Sequence, residues 1–235
     1  MRLASLPMYD WPESRDETAA TWAQIRAAVA GLPDLSAPDW AAIDAYWRNP
    51  DLVFSQCCWG PLSLGLIDWL KPLAQPDYSA FAGGRGPMYR SALIARAGLA
   101  CPVPDTPCAA LPDLRGRRFA LNGRDSLSGF LSVQADLGAD PCDIAADCVV
   151  TGGHRASVVA VAEGRADIAA IDCRSWDLAR RFEPAARDLV VVGWTAERPG
   201  LPYVTSRATD PALAAALQSQ LRELGCHPLP QGRET

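Results

Sequence analysis

Two short stretches carry side chains able to hold an anion. In NGRDSLSGFLS, residues 122–132, two serines and a glycine stand between an apolar run, RRFAL, and a helix-like run, GFLSVQADL. Asp125 or Ser126 can cap the helix that follows. The free N–H groups of its first turn, the positive end of its dipole and the hydroxyls of Ser126 and Ser128 suit a tetrahedral oxyanion. Gly129 lets such a ligand come close to the backbone. Ser and Asp are also the ordinary caps of helices, so the stretch alone leaves both readings open. The design recurs at the end of the next strand in TGGHRAS, residues 151–157. There His154 can donate to a phosphoryl oxygen and Ser157 lies one helical turn further on, although His154 also fits as a rim histidine with no ligand.

Asp172 closes the run ADIAAID and offers a carboxylate at a third strand end. It can meet a ligand amine, cap the next helix or pair with Arg174. Outside this region Tyr9, the pair Ser55-Gln56 and Tyr89 follow or precede apolar runs and are candidates to close over a ligand, while tyrosines equally serve as packing residues. No Walker loop, dinucleotide fingerprint or nucleophile elbow occurs, and no second histidine is placed to complete a catalytic set. His154 and His227 are the only histidines and none of the eight cysteines forms a C-x-x-C pair, so neither a metal site nor a cofactor is expected. The cysteines read mostly as small buried hydrophobes.

The elements that must position these residues follow from the hydrophobic pattern. From Arg117 the chain alternates strand-like and helix-like runs: RRFAL, SGFLSVQADLG, DCVVTGG, HRASVVAVAEGR and ADIAAID. Strands separated by helices of this length imply crossover units and parallel pairing, with ligands outside the carboxyl ends of the strands. Before that region, LASLPM and DLVF read as strands, and DETAATWAQIRAAVAGL, APDWAAIDAYW and LSLGLIDWL as helices. GPMYRSALIARAG reads as one long strand. The proline-rich LACPVPDTPCAALPDL is taken as a connection between domains, and DPALAAALQSQLRELG as a closing helix. The expected architecture is α/β with two lobes, residues 1–96 plus 198–235 forming a discontinuous lobe and 97–197 the other. A composition of 49% hydrophobic and 21% charged residues describes a globular chain, and the net charge of -5 argues against nucleic acid or an anionic membrane as partner. No run approaches the roughly 20 apolar residues of a bilayer span. The opening, MRLASLPMYDWPESRDE, lacks a signal-peptide pattern, so the chain as written is expected in the cytoplasm, or in the periplasm if a leader has been removed.

In order and spacing, SLPMYD, SQCCWGPL, YRSALIAR, LRGRRFALNGRDSLSGF, TGGHRASVVAVAEGRADIAAID and GWTAERPGLPYVTS resemble the phosphate/phosphonate-binding proteins of ABC transporters. The resemblance implies a type II periplasmic binding protein fold with mixed, mostly parallel sheets, flanking helices and a hinge between the lobes. It implies capture of a small phosphate, phosphonate or phosphorylated metabolite in the cleft by hinge closure, with an ABC permease as partner and no catalytic residues. It further implies oxyanion contacts from Ser126, Ser128 and Gly129 beside His154 and Ser157, with Tyr9, Gln56, Tyr89 and Asp172 facing the cleft. In SQCCWGP, Cys57, Trp59 and Gly60 stand where relatives carry Thr, Gly and Tyr, which alters the expected pocket wall. The alternatives are a cytoplasmic lyase or dehydratase on the same fold, with Asp172 or His154 as acid or base, and a ligand sensor.

Overall fold

The computed structural model describes residues 2–99 and 109–229. The connection expected at residues 99–114 therefore lies largely outside the described residues, as do Cys101 and Cys108. The chain forms two compact units, one from Met1–Asp77 and Gly200–Thr235, the other from Tyr78–Pro199.

The first unit opens with β1 (Leu3–Ala4), α1 (Arg15–Ala28), α2 (Ile43–Trp47), β2 (Leu52–Gln56), α3 (Trp59–Ser63) and β3 (Leu70–Ala74). Trp22 and Ile25 recur at helical spacing on α1 and are buried; Trp22 stacks on Phe54 of β2 at 5.1 Å between ring centroids. Two of the expected helices are shorter than their pattern suggests. Within APDWAAIDAYW, a 3-10 turn at Trp40–Ala42 precedes α2, and Trp40 is 54% exposed while Trp47 is buried. Within LSLGLIDWL, Gly65 takes a left-handed φ of 119° and ends α3, so Leu70 begins a strand instead of closing a helix. Pro72 sits in that strand without harm because β3 is at the sheet edge, where a missing N–H is tolerated.

The second unit runs through β4 (Gly84–Arg85), β5 (Met88–Tyr89), β6 (Ser91–Arg96), β7 (Arg118–Leu121), α4 (Ser132–Leu137), α5 (Pro141–Ile144), β8 (Asp147–Val150), α6 (His154–Ala162), β9 (Ile168–Asp172), α7 (Cys173–Phe182), β10 (Leu189–Trp194) and β11 (Arg198–Pro199). The stretch GPMYRSALIARAG is therefore two strands: β5 pairs in a small sheet with β4 and β11, and β6 enters the main sheet. The main sheet has the order β10-β6-β9-β7-β8, with β7 parallel to β8 and β9, and β6 antiparallel to both β9 and β10. Phe119, Leu121, Phe130, Val133, Leu93 and Ile168 pack in the core on one face. At the amino end of β9, Asp167 accepts from the backbone and guanidinium of Arg118 and from Arg96, tying β6, β7 and β9 together. Those bonds hold its carboxyl well below the usual carboxylate range, Arg118 first.

The chain returns to the first unit with β12 (Tyr203–Ser206) and α8 (Pro211–Glu223). β12 inserts antiparallel between β2 and β3, so that sheet reads β1-β2-β12-β3. Asp210 caps α8 through the N–H groups of Ala212 and Leu213, and α8 packs Leu217 and Leu221 into the core with Phe54 and Trp22. Among the described residues, no helix is long and apolar enough to cross a membrane.

Cys57, Cys58 and Cys173 are buried thiols, as small hydrophobes would be, but Cys142 and Cys148 depart from that reading: they form a disulfide joining α5 to β8. The turn between them brings the two side chains face to face, which the linear pattern does not reveal. The bridge anchors the start of β8, an edge strand with a single neighbour. By loop-closure entropy so short a loop contributes about 2 kcal/mol. The Cys142→Ser, Cys148→Ser variant is expected to lose about that much unfolding free energy in a denaturant titration at pH 7. An unchanged midpoint would show that the bridge does not stabilise the fold.

Candidate functional site

The carboxyl ends of three neighbouring strands in the second unit carry the candidate chemistry. β7 is the middle one, with Leu121 opposite Val150 of β8 and Ala120 opposite Ala169 of β9. This register brings the turns after β7, β8 and β9 to one rim, and each turn leads into a helix.

After β7, Ser126 takes extended backbone angles and accepts the N–H of Gly129 on its Oγ at 3.0 Å. Residues Leu127–Leu131 then form one turn of π-helix, with the Leu131 N–H reaching back to the Ser126 carbonyl at 3.0 Å. Such single turns are uncommon and recur at functional sites. Gly129 is required here for space: a Cβ would collide with Asn122 Oδ1 and lie 3.3 Å from Ser126 Oγ. The wide turn places Ser128 Oγ 3.3 Å from Ser126 Oγ and 2.8 Å from His154 Nε2.

After β8, the Thr151 N–H binds the Leu121 carbonyl at 2.9 Å, and its hydroxyl lies 2.6 Å from Ser157 Oγ. Thr151 Oγ1 also reaches the carbonyls of Leu121 and Gly153, so with its one proton given to either it accepts from Ser157. Ser157 is fully buried, and this bond closes the loop that starts α6. Gly153 precedes the helix without a side-chain cap, leaving the first-turn N–H groups without intrahelical partners.

After β9, Asp172 caps α7: its Oδ1 accepts the N–H groups of Arg174 at 3.1 Å and Ser175 at 2.9 Å. Its Oδ2 lies 3.3 Å from His154 Nε2. The carboxylate is thus both a helix cap and the neighbour of the imidazole. Burial pushes the His154 pKa below its ordinary 6.5, and Asp172 only partly opposes this. Burial, together with the Asp172 charge, also pushes the neighbouring Cys173 thiol far up, which makes it inert.

The structure therefore joins Ser126, Ser128, Gly129, His154 and Asp172 in one network, with Ser157 fastened to Thr151 beside it. Tyr89 lies in the same unit, fully buried against Tyr78 and two residues before Ser91, which pairs with Asp172 across the sheet. Tyr9 and Gln56 are buried in the first unit, where the Gln56 amide donates to the Leu201 carbonyl at 3.2 Å. Asn122 was not singled out by the motif, yet its amide fills the space that the missing Gly129 Cβ leaves. The signal for it was its place directly after a strand.

Nearby arginines are engaged elsewhere: Arg155 with Glu183 at 2.7 Å, Arg124 with Asp140 at 2.9 Å. An anion here would be held by hydroxyls and N–H groups. Nor do Ser128, His154 and Asp172 make a hydrolytic triad. In a triad the carboxylate holds one imidazole nitrogen while the other faces the serine as a base. Here Ser128 and Asp172 share Nε2, and Nδ1 is buried without a partner. A proton on Nε2 toward Asp172 leaves no lone pair there to activate Ser128. Among the described residues no group of His, Cys, Asp and Glu could hold a metal ion.

A sequence model for the family described as "ABC transporter, phosphonate, periplasmic substrate-binding protein" matches residues 68–234, which takes in this whole network. Comparison with curated protein sequences finds no match. Among solved structures, the chain is similar to XAC2383 from Xanthomonas citri bound to chloride, at 20% identity and a TM-score of 0.67, covering 98% of this chain and 92% of that one. It is similar to PhnD1 from Prochlorococcus marinus in complex with methylphosphonate, at 15% identity and a TM-score of 0.71, covering 93% and 82%. It is also similar to PA3383, a binding protein component of an ABC phosphonate transporter from Pseudomonas aeruginosa, at 18% identity and a TM-score of 0.62, covering 94% and 72%. At these identities the structural likeness is one of fold: a two-lobed periplasmic binding protein of type II.

The lowered His154 pKa has a consequence for stability. The folded protein keeps His154 neutral where the unfolded chain would protonate it, so below about pH 6.5 the unfolded state binds more protons and stability falls with pH. The slope that one such group adds has an upper limit of about 1.4 kcal/mol per pH unit. Denaturant titrations of the ligand-free protein from pH 7 to pH 5 are expected to show this loss, reduced in His154→Gln. Equal pH dependence in the two proteins would remove His154 as its cause.

Proposed function

The chain belongs to the periplasmic substrate-binding proteins of phosphonate ABC transporters, and from that premise we propose that the rim at Ser126–Ser128 and the start of α6 hold the phosphoryl oxygens of its ligand. The role is solute binding on behalf of an ABC transporter, not catalysis. The observation that carries the site assignment is the Ser126–Ser128–His154–Asp172 network at the ends of three adjacent strands.

The ligand class follows from what the rim offers. Two hydroxyls on a widened turn, next to the first-turn N–H groups of α6, present several donors over a small area, while the guanidinium groups of Arg155 and Arg124 are paired with Glu183 and Asp140. That pattern suits a compact tetrahedral oxyanion, whose three oxygens each need short, directed donors, better than a planar carboxylate matched by an arginine fork. A small alkylphosphonate such as methylphosphonate is the ligand we infer, with phosphate as its nearest competitor. Ser126, Ser128 and the Gly129 turn form the contact surface, and Ser157 serves by holding the α6 loop through Thr151.

Of the two addresses that the sequence leaves open, cytoplasmic and periplasmic, we infer the periplasmic one. The family's description supports it. The Cys142–Cys148 disulfide supports it independently, since such bonds persist in oxidising compartments and are rare in reducing ones.

Titration calorimetry with methylphosphonate, 2-aminoethylphosphonate, phosphate and sulfate tests the reading. Binding of a phosphonate is expected, and Ser128→Ala is expected to weaken it about 10- to 100-fold, the worth of one hydrogen bond to a charged group. Absence of binding to every one of these anions, or full affinity in Ser128→Ala, would overturn it.

A further inference from the structure

We propose that Asp172 is a positioning residue: acting through His154, it fixes the imidazole as the Nε2–H tautomer and so turns the Ser128 hydroxyl proton outward, toward the ligand. The inference rests on the assignment of Ser128 to the ligand rim.

The argument is one of counting protons. His154 Nε2 has two neighbours within reach, Ser128 Oγ at 2.8 Å and Asp172 Oδ2 at 3.3 Å. A carboxylate can only accept, so a bare lone pair on Nε2 would face it in mutual repulsion. With the proton on Nε2, the same N–H lies between two acceptors, and both distances are satisfied. The other tautomer would also place an N–H on Nδ1, which is buried and has no acceptor. Both ends of the ring therefore favour the same proton position.

The choice decides where the serine protons go. When His154 donates to Ser128 Oγ, the serine cannot spend its own proton on the ring. Among the described residues its other neighbour is Ser126 Oγ at 3.3 Å, a long and neutral acceptor that a charged ligand oxygen outcompetes. The Ser128 proton is left for a ligand oxygen. In the opposite tautomer Ser128 would donate to Nε2 and present only lone pairs outward, which an oxyanion rejects. Asp172 thus converts an ambiguous hydroxyl into a donor without touching the ligand. It can do so because its other oxygen is pinned by the Arg174 and Ser175 N–H groups, which leaves the carboxylate no freedom to rotate away.

Asp172→Asn separates this role from the capping role. Its carbonyl oxygen can still cap α7, and its amide then turns an N–H₂ toward His154, which demands a lone pair on Nε2. Long-range ¹H–¹⁵N correlation of the imidazole is expected to report Nε2–H in the ligand-free wild type and Nδ1–H in Asp172→Asn. Methylphosphonate affinity is expected to fall at least tenfold. A double-mutant cycle with His154→Gln, whose amide rotates freely between donor and acceptor, is expected to show that Asp172→Asn costs less than threefold in that background. An Nδ1–H wild type, or an equal cost of Asp172→Asn in both backgrounds, would overturn the proposal. If the wild type binds none of the anions, the ligand assignment fails, and the tautomer still decides whether Asp172 sets the ring. Should Asp172→Asn fail to fold, the wild-type spectrum alone remains decisive on that point.

Discussion

A single nitrogen, Nε2 of His154, carries the constraint on which the rest of the site depends. It stands between a serine from the turn after β7 and an aspartate from the end of β9, while its own helix begins after β8. Three strands, joined by two crossovers, must therefore end at the same level for the contact to exist. The parallel register of β7 with both neighbours secures this, since a slip of one residue would carry alternate side chains to the wrong face. The Asp167 ion cluster holds the far end of the same strands, and the disulfide holds the edge strand β8. Support at one end of the sheet permits precision at the other.

The network is built for holding rather than reacting. Burial disfavours the charged form of its imidazole, and the adjacent Cys173 thiol is pushed away from ionisation. A base, an activated nucleophile and a group to orient them would need the serine and the carboxylate on opposite ring nitrogens. The shared nitrogen removes that option. The Asp172 carboxylate is engaged by the α7 N–H groups through one oxygen and by the ring through the other.

Much of this was legible in the residue string, and unevenly so. The alternation from Arg117 to Asp172 located three strands and the helices after them, because apolar runs between small polar turns admit few other arrangements. Ser126, Ser128, Gly129, His154 and Asp172 stood out by type and by place at strand ends. The first unit was harder. Trp40 and Trp47 share a helical spacing, yet Trp40 is exposed, because the segment is a 3-10 turn joined to a short helix. LSLGLIDWL reads as a helix until Gly65 interrupts it. The strand that follows is stabilised by β12, which arrives more than a hundred residues later, and no local pattern can announce such a partner.

What the sequence by itself determined was the inventory: alternating elements, hydroxyls and glycines at strand-to-helix turns, a single histidine in the right turn, and membership of a binding-protein family. These rest on local physics, on side-chain period, capping and steric freedom, which act over a few residues. Only the tertiary structure decided how the inventory is wired. It set Ser128 and Asp172 on the same imidazole nitrogen, committed Ser157 to Thr151, paired Cys142 with Cys148, and put Asn122 where Gly129 has no side chain. Each of these depends on atoms brought within a few ångströms by sheet register and helix packing. Distances of that kind are properties of the folded chain and have no counterpart in the order of its residues.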